Sequence, residues 1–375
     1  MKNVLRIIYH QYRKKEKNFG FISVLKPIVI FESDDWGCQR IHSQKERDFL
    51  SSYAGFFPHD PFENGDALET ESDINNLSLL LASFSDSRGF HPIFTLNYVM
   101  NNLIFSNGEK KDDFSFRFER LDDTYSRMGI TFPWNLNSMT NKPRVFDFSL
   151  HAFAHLNQTR FMEDILKKKN GANDFYDHCV VASTDPKARF CYMDEMGGGM
   201  KNENIDLEIL GKAVKQFSEI FGHPSMSFTP SCGVILKSSL KSVCDIGNFR
   251  CIKISDGFFR SPSRRGYSKH AFFTGQKISG STARFLCRNC DFEPIFYGKD
   301  SVSLCLQDIE QAFQNKKPAI ISTHRMNYVR GFDGDNYTER IEMLSNLLSI
   351  LLSKYPDVMF MSTDDFIERF FHEKH

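Results

Sequence analysis

The sequence predicts an α/β fold built on a parallel sheet that closes, or nearly closes, into a barrel. Two observations predict it. Short apolar, β-rich runs recur along the 375-residue chain, at 27–32, 92–97, 144–150, 225–230, 250–255 and 319–323. Helix-like stretches lie between them, and strand–helix alternation implies parallel strands joined by right-handed crossovers. Many short, buried strands favour a closed sheet over an open one. One barrel of about 250 residues with insertions accommodates this length, and no linker divides the chain.

The elements follow in order. The first run, Ile28-Val-Ile-Phe, leads straight into acidic residues. Helix-like stretches are expected at 74–84, 116–128, 158–169, 207–221, 301–314 and 337–354. A late apolar piece at 358–362 is a further strand candidate. Residues 256–297, rich in Ser, Gly and Arg, interrupt the alternation and read as a loop or small β insertion at one rim; 106–113 is another polar loop. Residues 1–24 read as a basic helical extension ahead of a single domain spanning 25–375.

Composition narrows the function classes. Hydrophobic residues at 41% and charged residues at 25% exclude a disordered chain, and 38 phenylalanines point to a Phe-rich core. Lys+Arg and Asp+Glu both number 47, which excludes the basic excess of a non-specific nucleic-acid binder. No apolar run reaches the ~18–20 residues of a membrane span. The N-terminus lacks the long apolar core and cleavage site of a signal peptide, so the expected compartment is the cytoplasm. Its basic, amphipathic start offers a weak membrane-surface contact at most, and a solvated helix is the plainer reading. Nine cysteines without a framework spacing suit a reducing compartment. Cys287-Arg-Asn-Cys290 is the one CxxC, and without a second pair it is a poor zinc site.

Three strand ends carry ionisable groups. Ile28–Glu32 ends in Ser33-Asp34-Asp35-Trp36-Gly37. Two neighbouring carboxylates stay ionised together only beside a metal, a cation or hydrogen bonds; the plainer reading is a turn or helix cap. The run 144–150 is followed by His151 and His155. In an extended strand their four-residue separation spans about 13 Å, too far for one ion. In a helical turn they lie about 5–6 Å apart at Cβ. The strand is therefore expected to end near Leu150, with the histidines opening the next turn. A chance surface pair is the alternative. The run 318–323 ends in His324-Arg325-Met-Asn327-Tyr328. One Asp with two His and an open fourth position makes a catalytic metal set. Such an ion acidifies water and polarises a carbonyl. A spare Asp takes the water's proton and a separate His protonates the leaving group.

With these residues in order, the chain resembles the polysaccharide deacetylase superfamily. The stretches Glu32-Ser-Asp-Asp-Trp-Gly, His155-Leu-Asn, Arg288-Asn-Cys-Asp-Phe-Glu-Pro and Ser322-Thr-His-Arg-Met-Asn-Tyr resemble its divergent bacterial branch. The resemblance covers about residues 25–370. It implies a distorted (β/α) barrel of the glycoside hydrolase/deacetylase type and a metal-dependent hydrolase removing acetyl groups from N- or O-acetylated sugars. It further implies Asp34 as base, Asp35, His151 and His155 as ligands of a divalent metal, and His324 as general acid. Zn²⁺ is the expected ion, with Co²⁺, Ni²⁺ or Mn²⁺ compatible.

The departures from the pattern also carry expectations. The family's Arg-Pro element reads Thr229-Pro230 here, and a Thr hydroxyl cannot supply a cation. Arg288 is the expected replacement beside Asp34, with Arg325 as the alternative; Arg288 otherwise only pins its loop through Glu293. Trp36 and Tyr328 are candidates for stacking a sugar ring, unless they are core, and Arg325 and Asn327 complete the candidate substrate contacts. Competing readings are a glycosidase or another amidase on the same barrel, and a non-catalytic carbohydrate-binding relative.

Overall fold

The computed structural model describes residues 18, 20–58, 61–63, 65–105, 116–130, 143–197, 203–255, 257–260, 267–332 and 334–371. The polar loop expected at 106–113 lies outside them, as does most of the helix expected at 1–24, whose described end, 20–24, is not helical. Among the described residues the main sheet is parallel. Its strands are β1 (Ile28–Trp36), β2 (Phe94–Val99), β3 (Phe146–Ala152), β4 (Ser227–Phe228), β5 (Cys251–Ile254), β6 (Arg284–Cys287), β7 (Cys290–Asp291) and β8 (Ala319–His324). They run in the order β6-β5-β4-β3-β2-β1-β8-β7, and β9 (Met359–Phe360) pairs with the start of β1.

The two strands at opposite ends of that order, β6 and β7, are consecutive in the chain. Only Arg288 and Asn289 separate them, so the sheet edges lie within about 10 Å of each other. The sheet therefore curls into a distorted barrel. The β6–β7 segment acts as one kinked strand that pairs parallel with β5 and then parallel with β8. The amide of Arg288 donates to the carbonyl of Ile254, and that of Asn289 donates to Ile320. Residues 284–291 thus belong to the barrel, which shortens the insertion expected at 256–297; Gly257–Arg260 and Tyr267–His270 pair antiparallel in a separate small sheet, as a β insertion would. The Ser- and Gly-rich run hid two short strands because Cys287 and Cys290 flank a polar pair. Both cysteines are buried.

Helices cover the outside: α1 (Gln44–Ser52), α2 (Glu71–Ala82), α3 (Leu121–Arg127), α4 (Gln158–Leu166), α5 (Pro186–Met193), α6 (Glu203–Phe221), α7 (Leu240–Gly247), α8 (Asp300–Gln314), α9 (Tyr337–Lys354) and α10 (Thr363–Phe370). Helix α2 shows the logic. Thr70 caps it, its side chain accepting from the amide of Asp73, and Ile74, Leu77 and Leu81 form one buried stripe against the barrel. The helix expected at 116–128 is only half present. Phe116-Arg-Phe-Glu alternates with period two, so 117–120 pairs antiparallel with Asn101–Ile104, and the helix begins at Leu121. Phenylalanines dominate the core, as Phe31 stacked on Phe94 at 4.6 Å illustrates. No helix among the described residues is long and apolar enough to cross a membrane.

The end of β1 positions the site and depends on Gly37, whose φ is +78°. A Cβ there would lie 2.7 Å from Leu121 Cδ1 and 2.9 Å from the Val99 carbonyl oxygen. Gly37→Ala is expected to cost about 1–3 kcal/mol from backbone strain alone, more with the overlap. The check is the urea midpoint of the variant against wild type; an unchanged midpoint would contradict this packing.

Candidate active site

The carboxyl ends of β1, β3, β5 and β8 surround a pocket of about 390 Å³. Asp34, Asp35, His151, His155, Arg288 and His324 all line it. Residues just past strand ends meet there because a parallel barrel aims every such end to one face.

Strand β1 delivers three carboxylates by two devices. Glu32 and Asp34 share a face through ordinary alternation. Asp35 would point the other way in a regular strand. Instead its φ is +71°, and the β1–β2 register shifts between Ser33 and Trp36. This left-handed residue and bulge turn the Asp35 side chain toward the pocket as well.

The two aspartates then find different partners. Arg288 grips Asp34 with two hydrogen bonds, Nη1 to Oδ2 at 2.5 Å and Nη2 to Oδ1 at 2.7 Å. Asn97 donates a third at 2.7 Å. Burial pushes the Asp34 carboxyl up, but the Arg288 guanidinium outweighs it and holds the group well below the usual carboxylate range. Thr229 does not supply this cation; its hydroxyl accepts from Arg288 Nη2 at 3.4 Å. Arg288 reaches the centre because it sits at the seam of the barrel, between β6 and β7. Beneath it, buried Glu32 meets Lys253 at 2.9 Å and Arg288 at 3.3 Å. Glu293 pairs with His324 and not with Arg288.

Asp35 faces the histidines. Its Oδ1 lies 3.1 Å from His151 Nε2 and 3.5 Å from His155 Nε2. The three ligand atoms all lie within 4.8 Å of one another. The histidine pair converges differently from expectation. Strand β3 continues through His151 to Ala152, and the chain then bends without forming a helical turn. His155 swings back through a left-handed φ of +53°.

The donor chemistry fits a divalent cation. The Thr229 carbonyl lies 2.8 Å from His151 Nδ1, so that nitrogen carries the proton and donates it. In the neutral ring, His151 Nε2 is then a lone pair aimed at a carboxylate oxygen. Two acceptors 3.1 Å apart attract each other only through a proton or a cation. Burial drives His155 down to about 3, so its ring is neutral near pH 7. A buried carboxylate facing two imidazole nitrogens could hold a metal ion and leave room for a further ligand. Arg40 holds the other Asp35 oxygen at 3.1 Å and so favours single-oxygen ligation.

His324 lines the pocket at the end of β8, its Nδ1 donating to Glu293 Oε1 at 2.6 Å. Burial lowers its pKa, but the Glu293 carboxylate more than compensates and carries it to about 10. Asn327 donates to the other Glu293 oxygen at 2.7 Å.

Four residues expected to contact substrate lie elsewhere. Trp36, Arg325, Asn327 and Tyr328 are each 0% exposed. Trp36 donates its indole N–H to Ser33 inside the core. Tyr328 hydrogen-bonds Thr323. Arg325 is consumed by Asp66 and Glu69, and Asn327 braces Glu293. Large aromatics after a strand end turned back into the core because burying them gains more apolar area than the pocket rim offers. The aromatic surface at the pocket is Phe62, Phe190 and Phe296 instead. Sequence reasoning also missed Arg40, Glu32, Lys253 and Glu195. None stands in a spacing pattern, although Glu32 shares the β1 face with Asp34.

No family model matches the sequence, and no curated protein matches it. Among solved structures, a Mycobacterium smegmatis protein described as a polysaccharide deacetylase aligns over 92% of this chain and 90% of its own, with 9% identity and a TM-score of 0.40.

The His324–Glu293 pair sets a pH dependence. A raised pKa stabilises the fold fully below the ordinary histidine value of about 6.5. That stabilisation is lost as pH rises through about 10. Ring NMR of metal-free protein should show His324 titrating near pH 10, and Glu293→Gln should bring the midpoint down by several units. A His324 midpoint near 6.5 in wild type would refute the pairing.

Proposed function

We propose that the protein is a metal-dependent hydrolase that removes an acetyl group from an N- or O-acetylated sugar of a glycan or glycan precursor. One observation carries this reading. Two adjacent aspartates face one pocket with opposite partners, an arginine for Asp34 and two imidazole nitrogens for Asp35. That division separates a proton acceptor from a metal ligand.

Asp35, His151 and His155 would hold the ion, with Zn²⁺ suited to two nitrogens and one oxygen. A divalent cation bound there supplies Lewis acidity to the acetyl carbonyl and acidifies water. Asp34, kept ionised by Arg288, accepts the proton that the attacking water loses. The water oxygen bonds to the acetyl carbon, and the carbon–nitrogen or carbon–oxygen bond to the sugar breaks. His324, kept protonated by Glu293, donates its proton to the departing nitrogen or oxygen. The products are acetate and the free sugar amine or hydroxyl. Phe62 lies 5.1 Å from the His324 ring and 5.7 Å from that of Phe296. The two phenylalanines offer an apolar face where a leaving sugar ring would rest. Asp34 and Asp35 are the only carboxylates among the described residues lining the pocket. Adjacent and separately partnered, they do not flank a glycosidic bond as a glycosidase pair does.

Purified protein is expected to carry one divalent cation and to release acetate from a panel of acetylated sugars, nucleotide sugars and oligosaccharides. Chelation should stop release and re-addition restore it. Asp34→Asn should retain the cation and lose most turnover, His155→Ala should bind the cation much more weakly and lose turnover, and His324→Ala should slow turnover about 10²–10⁴-fold. Acetate release at the wild-type rate by Asp34→Asn would reject the assignment of the base.

Arg288→Met tests how the base is poised. A carboxylate held below its ordinary pKa stays active down to that lowered value, and activity is lost as pH falls through it. Without the guanidinium, burial dominates and the acidic limb of the rate profile should move upward, with turnover at neutral pH falling steeply. An unmoved limb would make Arg288 a purely structural residue.

A further inference from the structure

The turn that carries His155 cannot hold itself in place. Between His151 and His155 the chain reads Ala152-Phe153-Ala154, three side chains without a hydrogen-bond acceptor. Such a turn usually recruits a nearby Ser, Thr, Asn or Asp to accept its free backbone amides. His155 itself adopts φ +53°, a conformation that costs about 1–3 kcal/mol and persists only where the surroundings enforce it. Its ring is buried, and its Nδ1 has no hydrogen-bond partner among the described residues to fix the ring. Metal-bound histidines ordinarily rely on such a partner. The position of this ligand must therefore come from its backbone.

The acceptor arrives from 40 residues downstream. Glu195, 7% exposed, follows α5 in a short 3-10 turn. Its Oε2 accepts from the amide of Phe153 at 2.7 Å, and its Oε1 accepts from that of Ala154 at 2.6 Å. Both oxygens are committed to the turn. The same segment grips the far side of the bend. The amide of Asn157 donates to the Tyr192 carbonyl at 2.7 Å, and the Asn157 side chain donates to Asp194 Oδ1 at 2.8 Å. Between these anchors Met193 forms part of the pocket wall.

We infer that Glu195 is a positioning residue for the metal centre: its carboxylate clamps the amides of Phe153 and Ala154 and so sets the His155 nitrogen opposite Asp35. This inference rests on the metal-site reading above. Glu195 touches neither substrate nor ion. Its role is to make a strained, acceptor-free turn rigid enough for a ligand bond of ~2.0–2.1 Å. The clamp also ties the ligand turn to the pocket wall at Met193, so the metal site and the substrate wall share one support.

The test measures cation affinity directly, by chelator competition for Zn²⁺ and Co²⁺ on the full chain, with no need for turnover. Loss of a group that orients a ligand typically weakens metal binding about 10–100-fold, and Glu195→Ala is expected in that range. The Co²⁺ visible spectrum should shift as His155 is lost from the ligand set. A double-mutant cycle separates positioning from general damage. In a His155→Ala background, Glu195→Ala should change affinity less than about 2-fold. An equal loss in both backgrounds would overturn the inference, as would wild-type affinity in Glu195→Ala. Glu195→Gln keeps one acceptor and serves if the alanine variant does not fold. It is expected to bind several-fold more weakly, and wild-type affinity there would equally overturn the inference. Wild-type protein that takes up no cation would instead reject the metal reading itself.

Discussion

Buried negative charge is the constraint on which this structure turns. Glu32, Asp34, Asp35, Asp66, Glu69 and Glu293 are all removed from water around one barrel mouth. An uncompensated carboxylate in such surroundings costs several kcal/mol or gives up its charge. Each one is therefore matched. Arg288 answers Asp34, Lys253 answers Glu32, Arg325 answers Asp66 and Glu69, and His324 answers Glu293. Asp35 receives Arg40 on one oxygen. Its other oxygen faces two imidazole nitrogens. In the proposed mechanism the chemistry of the pocket follows from this matching, since the partner each acid receives would decide whether it accepts protons, binds an ion or holds a histidine charged.

Backbone geometry enforces the division. Alternation along β1 sends Glu32 and Asp34 inward together, and a left-handed Asp35 adds a third acid to the same side. The left-handed His155 does the same for the histidine pair. Two of the three ligand-set residues thus sit in conformations that side chains rarely adopt. Strain of this kind gathers where function asks for directions that a regular strand cannot supply.

Much of this was legible in sequence. Apolar runs are self-announcing, and those at 27–32, 92–97, 144–150 and 319–323 all became strands of the barrel. Ionisable residues directly after such runs marked the pocket, because a parallel barrel brings strand ends to a common rim. The four-residue histidine spacing marked the pair but not its geometry: periodicity distinguishes helix from strand and is silent about a strand that simply bends. Arg288 was legible through a gap in the pattern, the Thr at position 229 that cannot carry charge. Trp36 and Tyr328 misled because an aromatic beside a functional motif serves the core as readily as the pocket, and only packing decides. Arg40, Glu195 and Glu293 act through contacts made by folding, and single charges far apart in sequence carry no periodic signal.

The kinked segment 284–291 gives the barrel an error-sensing joint. A strand displaced by one residue presents its opposite face. Such a slip where the sheet edges meet would swing Arg288 out toward the helices. Asp34 would then face the interior alone, with Glu32 short of a partner beside it. Misassembly at this joint would be penalised electrostatically as well as by lost packing, because the guanidinium that pairs with Asp34 sits where the sheet edges meet.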